Sequence, residues 1–251
     1  MRIAFANMKG GVGKTTLAYT FATSFRAVGK AKILAIDLDP QAHLTHRFVD
    51  EETSAKRNIS LFFEGKLSLA DCIVKTRFED VDLIPSHIFL GLVEYKLIQK
   101  PASVLKLKSS LEELRGYDFV VMDCPPNLGV FSTAGVIAAD VVVCPITPDT
   151  LALEGLRYLT GWLKEISDVP QAGEKRVVIV VNLVDKRYAS HRVFVELARK
   201  EYQAALAISR RVIYQRAINH GISPWKEASE GSGDAIKEIK EFIRAIVEVK
   251  G

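Results

Sequence analysis

The chain has 251 residues, 48% of them hydrophobic and 25% charged, with a net charge of +4 and three cysteines. This is ordinary globular composition, which excludes a low-complexity chain, and no apolar run approaches the ~18–20 residues of a membrane span. The length suits one undivided α/β domain over residues 1–251.

Residues 2–6, "RIAFA", are short and mostly apolar, as a buried strand is. "NMKGGVGKTT" follows, from Asn7 to Thr16, and residues 15–28 then carry apolar positions at helical spacing, with Gly29 expected as the C-cap. A glycine turn between a strand and a helix start is the setting of a phosphate-binding P-loop, where backbone amides and the helix dipole converge on an anion. The expected nucleotide-binding residues are Lys9, Gly10, Gly11, Val12, Gly13, Lys14, Thr15 and Thr16. Lys14 reaches the phosphates, and the Thr15 hydroxyl is a ligand for Mg2+. The fit to G-x-x-x-x-G-K-[ST] is partial: Met8 stands where the first glycine belongs, and a second lysine, Lys9, precedes Gly10 and Gly11.

A second buried strand, residues 31–37, ends at Asp37 in "DLDPQ", with Asp39 two residues on. Carboxylates beside a bound triphosphate hold the waters of Mg2+ or orient an attacking water. Further β-branched runs follow in "VDLIPS", "YDFVVMD", "ADVVVCPI", "KRVVIVVN" and "AALAI", with helical patterns between most of them, such as residues 151–166 and 190–202. That alternation predicts a mostly parallel twisted sheet with helices on both faces, of P-loop NTPase type, with the site at the carboxyl ends of the strands. Asp123 ends one such run as a Walker B carboxylate, and "CPPNLG" after it has the make-up of a loop that senses the terminal phosphate. Asn182 ends another, and its amide matches the adenine edge. The expected metal set is Thr15, Asp37 and Asp123.

Charge is uneven along the chain. Residues 175–216 hold ten Lys/Arg and three Asp/Glu, a net +7 against +4 for the whole, so the remaining residues sum to −3. Lys186, Arg187, Arg211 and Arg216 are the expected contacts to the phosphates of double-stranded DNA. The last segment, "GDAIKEIKEFIRAIVEVKG", has one apolar stripe, Ile236, Ile239, Phe242, Ile243, Ile246 and Val247, opposite a face of mixed charge. A membrane-surface helix favours a basic face, so core packing and no stable membrane binding are expected. Cys72, Cys124 and Cys144 are widely spaced and form no C-x-x-C pair. With no secretory signal evident, reduced cysteines in a cytoplasmic protein are expected.

Taken in order, "KGGVGKTT", "DLDPQ", "DCPPNLG" and "ALEGL" resemble the ParA/Soj partition ATPases of the deviant Walker-A (ParA/MinD) superfamily, over essentially the whole chain. Departures from the family pattern are Met8 for Gln, Ala42 for Gly and Asn127 for Ser. The resemblance implies a slow, Mg2+-dependent ATPase in which Lys9 crosses to the phosphates of a second copy, Lys14 holds its own and Asp39 orients water. It further implies an ATP-dependent homodimer that binds DNA nonspecifically, is stimulated by a ParB-like adaptor, and associates with the nucleoid in plasmid or chromosome segregation. No DNA-binding extension ahead of the P-loop is expected. A MinD-like membrane ATPase or another cargo-positioning ATPase is the alternative that the same motifs leave open.

Overall fold

The computed structural model describes residues 1–100, 102–149, 152–203, 206–229 and 231–248. Its strands are β1 (Arg2–Phe5), β2 (Ile33–Asp37), β3 (Val74–Lys75), β4 (Val81–Ile84), β5 (Phe119–Asp123), β6 (Val141–Ile146), β7 (Arg176–Val184) and β8 (Leu206–Ser209). They form one sheet in the order β3-β4-β2-β5-β1-β6-β7-β8. Every pairing is parallel except that of β3 with β4, a two-residue edge strand too short to register as a sequence pattern. The helices in chain order are α1 (Lys14–Ser24), α2 (Thr45–Phe48), α3 (Glu51–Lys56), α4 (Ile59–Phe63), α5 (Leu90–Leu97) and α6 (Ser103–Glu113). Then come α7 (Val130–Ala138), α8 (Ala152–Ser167), α9 (Ala189–Tyr202), α10 (Val212–His220), α11 (Pro224–Ser229) and α12 (Gly233–Val247). Leu151 and the Ala204–Ala205 start of the predicted last strand lie outside the described residues.

Strand residues alternate between two cores, as the pleat requires. Ala4, Leu34, Ile36 and Met122 face a layer that includes α5, α6, α7 and α8. Ile3, Phe5, Ile33 and Val143 face α1 and α12. Each fully buried Leu, Ile or Phe contributes about 1.5–3 kcal/mol of transfer free energy, so both layers are firmly seated. The predicted stripe of α12 lies on the second core: Ile239, Phe242, Ile243 and Ile246 are buried, and the Phe242 ring is 6.3 Å from that of Phe5. Among the described residues no helix is long and apolar enough to cross a membrane.

Two expectations are corrected. The first helix ends at Ser24 and tightens into a 3-10 turn, Phe25–Ala27. Gly29 donates to the Phe25 carbonyl at 3.1 Å without taking the left-handed conformation expected of a C-cap glycine. The cause is packing: α1 is buried on nearly all sides up to Ser24, and Phe25 turns aside to stack on Phe119 at 4.7 Å. The second concerns β7, expected to end at Asn182. It continues to Val184 through an irregularity at which Leu183 has a positive φ of 58°. Such a bulge re-aims the side chain beside it, here that of Asn182.

Candidate functional site

The loop from Ala6 to Gly13 folds back over the carboxyl end of β1. Asn7 ties it to β6, its amide donating to the Pro145 carbonyl at 2.7 Å while its Oδ1 accepts from the Lys9 amide at 2.9 Å. Asn182 ties it to β7, donating to the Val12 carbonyl at 2.8 Å. Gly13 lies between these anchors with φ 95°, and a Cβ there would stand 2.3 Å from the Asn182 amide nitrogen. Position 13 therefore admits only glycine, for backbone and for space. The turn delivers Lys14 into the interior, where it is 7% exposed and its Nζ donates to the Lys9 carbonyl at 3.1 Å. Burial lowers the Lys14 pKa, with the Asp123 charge opposing.

A hollow runs along this loop. One part, about 610 Å³, is lined by Gly11, Gly13, Thr16, Asn182, Arg211 and Tyr214 among others. The next, about 440 Å³, is lined by Gly10, Lys14, Thr15, Asp39 and Pro126 among others, and shares Gly11, Gly13 and Thr16 with the first. These volumes suit a small ligand with an extended anionic part. The bond to Val12 uses one of the two N–H donors of Asn182; the expected pairing with adenine would use the other N–H and the oxygen. A separate cavity of about 420 Å³ lies beside Asp80 and Val81 at the amino end of β4, and it gathers none of the predicted site residues.

The aspartates come from adjacent strands. Asp37 and Asp123 are cross-strand neighbours at the ends of β2 and β5, both buried. Asp37 accepts from the Thr45 amide and hydroxyl, each at 2.8 Å, and from the Asp39 amide at 3.1 Å. Its carboxylate thereby fixes the loop that carries Asp39. Asp39 accepts from the Gln41 amide at 2.9 Å and is 8% exposed. Asp123 differs: both carboxylate oxygens are buried with no hydrogen-bond partner among the described residues. Burial first, then the Asp37 charge, push its pKa well up, while Thr15 and Lys14 oppose. Burial likewise raises Asp37. Ala42 in this loop has φ 54°, left-handed backbone at the position where the ParA/Soj pattern has glycine.

An orphaned carboxylate beside the Thr15 side chain fits a hydrated divalent cation. Among the described residues no group of three His, Cys, Asp or Glu side chains could hold a metal alone. Such a cation would need oxygens from the phosphates and water, with Thr15 and Asp123 from the protein and Asp37 behind them.

Three residues outside the predicted set belong to the site. The Lys9 ammonium is bound within its own chain by Asp149 at 2.7 Å, and the Thr147 hydroxyl also donates to that carboxylate, at 2.5 Å. Glu94 on α5 accepts from the Val130 amide at 3.1 Å, at the end of the "CPPNLG" loop. Glu238 on α12 receives Arg211 through two bonds of 3.0 Å each. The acidic residues Asp149, Glu94 and Glu238, in "TPDT", "LVEYK" and "KEIKEF", carry no local signature; long-range folding alone pairs them.

The basic stretch divides in the same way. Lys175 donates to the carbonyls of Ile137, Ala139 and Ala172, and Arg176 caps the end of α12 through the Ile246 and Glu248 carbonyls. Arg211 is taken by Glu238 at the cavity wall. Arg187 is exposed but paired with Asp185, and Lys186 is exposed with Glu238 4.0 Å away. Arg210 and Arg216 are exposed, and among the described residues neither has an ion-pair partner.

The chain is similar in sequence and fold to known proteins. The protein family described as an AAA domain matches residues 1–175. The chain is 32% identical over 249 residues to the chromosome partitioning protein ParA of Caulobacter vibrioides, covering 96% of this chain and 93% of the relative. It is 28% identical over 246 residues to the sporulation initiation inhibitor protein Soj of Bacillus subtilis, covering 94% and 97%. Among solved structures, a Cyanothece McdA–ATP complex superposes with a TM-score of 0.85 at 22% identity, over 100% of this chain and 98% of that one, a likeness of fold.

The raised pKa of Asp123 makes a stability prediction for the protein free of nucleotide and magnesium. Because the folded value lies above the unfolded one, the wild type loses stability as pH rises from the ordinary carboxylate range through the raised value. Asp123→Asn has no charge to bury. It is expected to melt a few degrees above wild type at pH 7.5 (~2–4 °C per kcal/mol for a chain of this size) and at nearly the same temperature at pH 4. Thermal unfolding at both pH values checks this; a variant no more stable than wild type at pH 7.5 contradicts it.

Proposed function

The chain belongs to the ParA/Soj-type family of deviant Walker-A P-loop ATPases, and from that premise we propose that it segregates DNA as an ATP-driven dimer. The observation that carries the reading is the contrast between two lysines on one turn. Lys14 is buried at the floor of the phosphate loop, whereas the Lys9 side chain is half exposed at its rim. Gly10 and Gly11 beside Lys9 are exposed, and a Cβ on either would meet nothing within 4 Å. A rim bare of side chains lets another backbone approach closely, and an exposed cation there can reach phosphates held by a second copy. A cation delivered in trans acts only when two copies meet, which couples ATP to assembly.

In this reading ATP occupies the hollow with its base near Asn182 and its phosphates on the amides of residues 10–16. Thr15 and Asp123 hold Mg2+, which neutralises charge on the phosphates. Asp37 positions the loop, and Asp39 orients the attacking water. Turnover is slow because Lys9 starts on Asp149 and completes the site only in the dimer; a ParB-like adaptor and DNA raise it. Arg216 and Arg210, then Lys186 and Arg187, make the DNA contacts, while Arg211 shapes the nucleotide cavity through Glu238. The apolar stripe of α12 is occupied by the core, which supports a cytoplasmic, nucleoid-associated protein over a membrane-bound one.

Two experiments test this. Asp39→Ala is expected to bind ATP and dimerise as wild type does, yet to release phosphate at least tenfold more slowly in the presence of DNA; wild-type turnover contradicts the assignment. Arg210→Glu/Arg216→Glu is expected to dimerise with ATP but to lose most duplex binding at low salt. Wild-type binding should show no base-sequence preference and fall steeply as salt rises. Undiminished DNA binding by the double variant contradicts the placement of this surface.

A further inference from the structure

Helix α5 buries one face and leaves the other uncovered. Leu90, Val93 and Leu97 are in the core, while Ile88 (69% exposed), Phe89 (60%), Leu92 (63%), Tyr95 (75%) and Ile98 (64%) face solvent. Leu92, Tyr95 and the C-cap residue Ile98 keep to one side of the helix, and the turn before it adds Ile88 and Phe89, whose ring the His87 ring supports at 4.7 Å. Together they present roughly 500–600 Å² of apolar surface, at the upper end of what a monomeric soluble protein leaves uncovered.

The place of this face in the fold identifies its occupant. α5 starts just past the carboxyl end of β4, on the side of the sheet where the phosphate loop lies. A Cβ on Gly91 would stand 3.9 Å from Pro40, the residue after Asp39. Glu94, on the same helix, holds the end of the loop that follows Asp123. The apolar face therefore adjoins the loops after Asp37 and Asp123, which share the carboxyl edge of the sheet with the phosphate loop. Ile88, Phe89, Leu92 and Tyr95 carry no charge; the cations Lys96 and Lys100 stand beside them. An uncharged apolar surface is complementary to itself, which a two-fold contact between identical copies requires. A stable two-fold contact covers about 800 Å² per copy, of which this face would supply the larger part.

We infer that the exposed face of α5 is the apolar half of the contact with a second copy of this chain, and that Lys9 and the glycine rim are its polar, nucleotide-bearing half. This rests on the ATP-driven dimer proposed above. It explains how assembly reaches the site: covering α5 fixes Glu94, and Glu94 fixes the Val130 amide behind Asn127–Gly129.

The test is sedimentation of the full chain with a slowly hydrolysed ATP analogue, beside equilibrium binding of a fluorescent analogue. Leu92→Glu/Tyr95→Glu is expected to bind nucleotide within about twofold of wild type, which also shows that it is folded, and to weaken dimerisation at least tenfold. Leu92→Ala/Tyr95→Ala, milder at exposed positions, is expected to weaken it several-fold. If wild type dimerises and the charged double variant matches it, this inference falls and the ATP-driven dimer stands. If wild type stays monomeric with the analogue, both fall. If dimerisation survives but stimulation by an added partner is lost, the face serves another protein and the inference is overturned.

Discussion

The burial of the Lys14 ammonium near a carboxylate, Asp123, that lacks its own hydrogen-bond partner is the constraint around which this molecule is organised. A lysine at 7% exposure costs free energy unless an anion meets it, and a carboxylate with both oxygens orphaned costs more unless a cation does. Lys14 and Asp123 oppose each other's shifts without a hydrogen bond joining them. A polyanion bearing a divalent metal would satisfy both at once, the anion at Lys14 and the loop amides, the metal at Thr15 and Asp123. The fold keeps this unbalanced centre in place with interactions that are themselves complete. Asn182 holds the loop from one side and Asn7 from the other, the three bonds to Asp37 fix Asp39, and two apolar layers hold the strands that carry them.

Much of this was legible in the sequence because it is local. Each of the six predicted strand runs after the P-loop is present, since runs such as "FVVMD" and "VVIVV" can be buried on both faces only in a sheet between helix layers. Gly13-Lys14-Thr15 placed the phosphate turn, and strand-terminal Asp37 and Asp123 placed the acids, because strand ends of a parallel sheet share one edge. What escaped depends on contacts distant in the chain. Arg211 read as a free cation until α12 brought Glu238 to it. Nothing local shows that Asp37 also holds the Asp39 loop, through Thr45 and the Asp39 amide. Nothing local marks Asp149 as the partner of Lys9, since 140 residues separate them. Ala42 is the reverse case: its departure from the ParA/Soj pattern was visible at once, but the reason that pattern holds glycine there, a left-handed backbone, is visible only in the fold.

Lys9 links the site to the surface. In the single chain it sits on Asp149, an exposed pair of the kind worth at most about 1 kcal/mol, so a stronger anion can draw it away. Its rim shares the carboxyl edge of the sheet with the start of α5, while Arg210 and Arg216, which have no ion-pair partner among the described residues, lie at the start of α10 and on it, by the nucleotide cavity. In the proposed function, nucleotide, second copy and DNA would meet the chain at neighbouring surfaces, so that one ligand could govern the other two.

The most direct measurement is the sedimentation of Lys9→Ala with a slowly hydrolysed ATP analogue, together with its equilibrium affinity for that analogue as a monomer. The account predicts nucleotide binding close to that of wild type, because Lys14 and the loop amides remain, and failure to dimerise, because no cation reaches the partner's phosphates. A Lys9→Ala chain that dimerises as tightly as wild type, or one that loses nucleotide as a monomer, would contradict it.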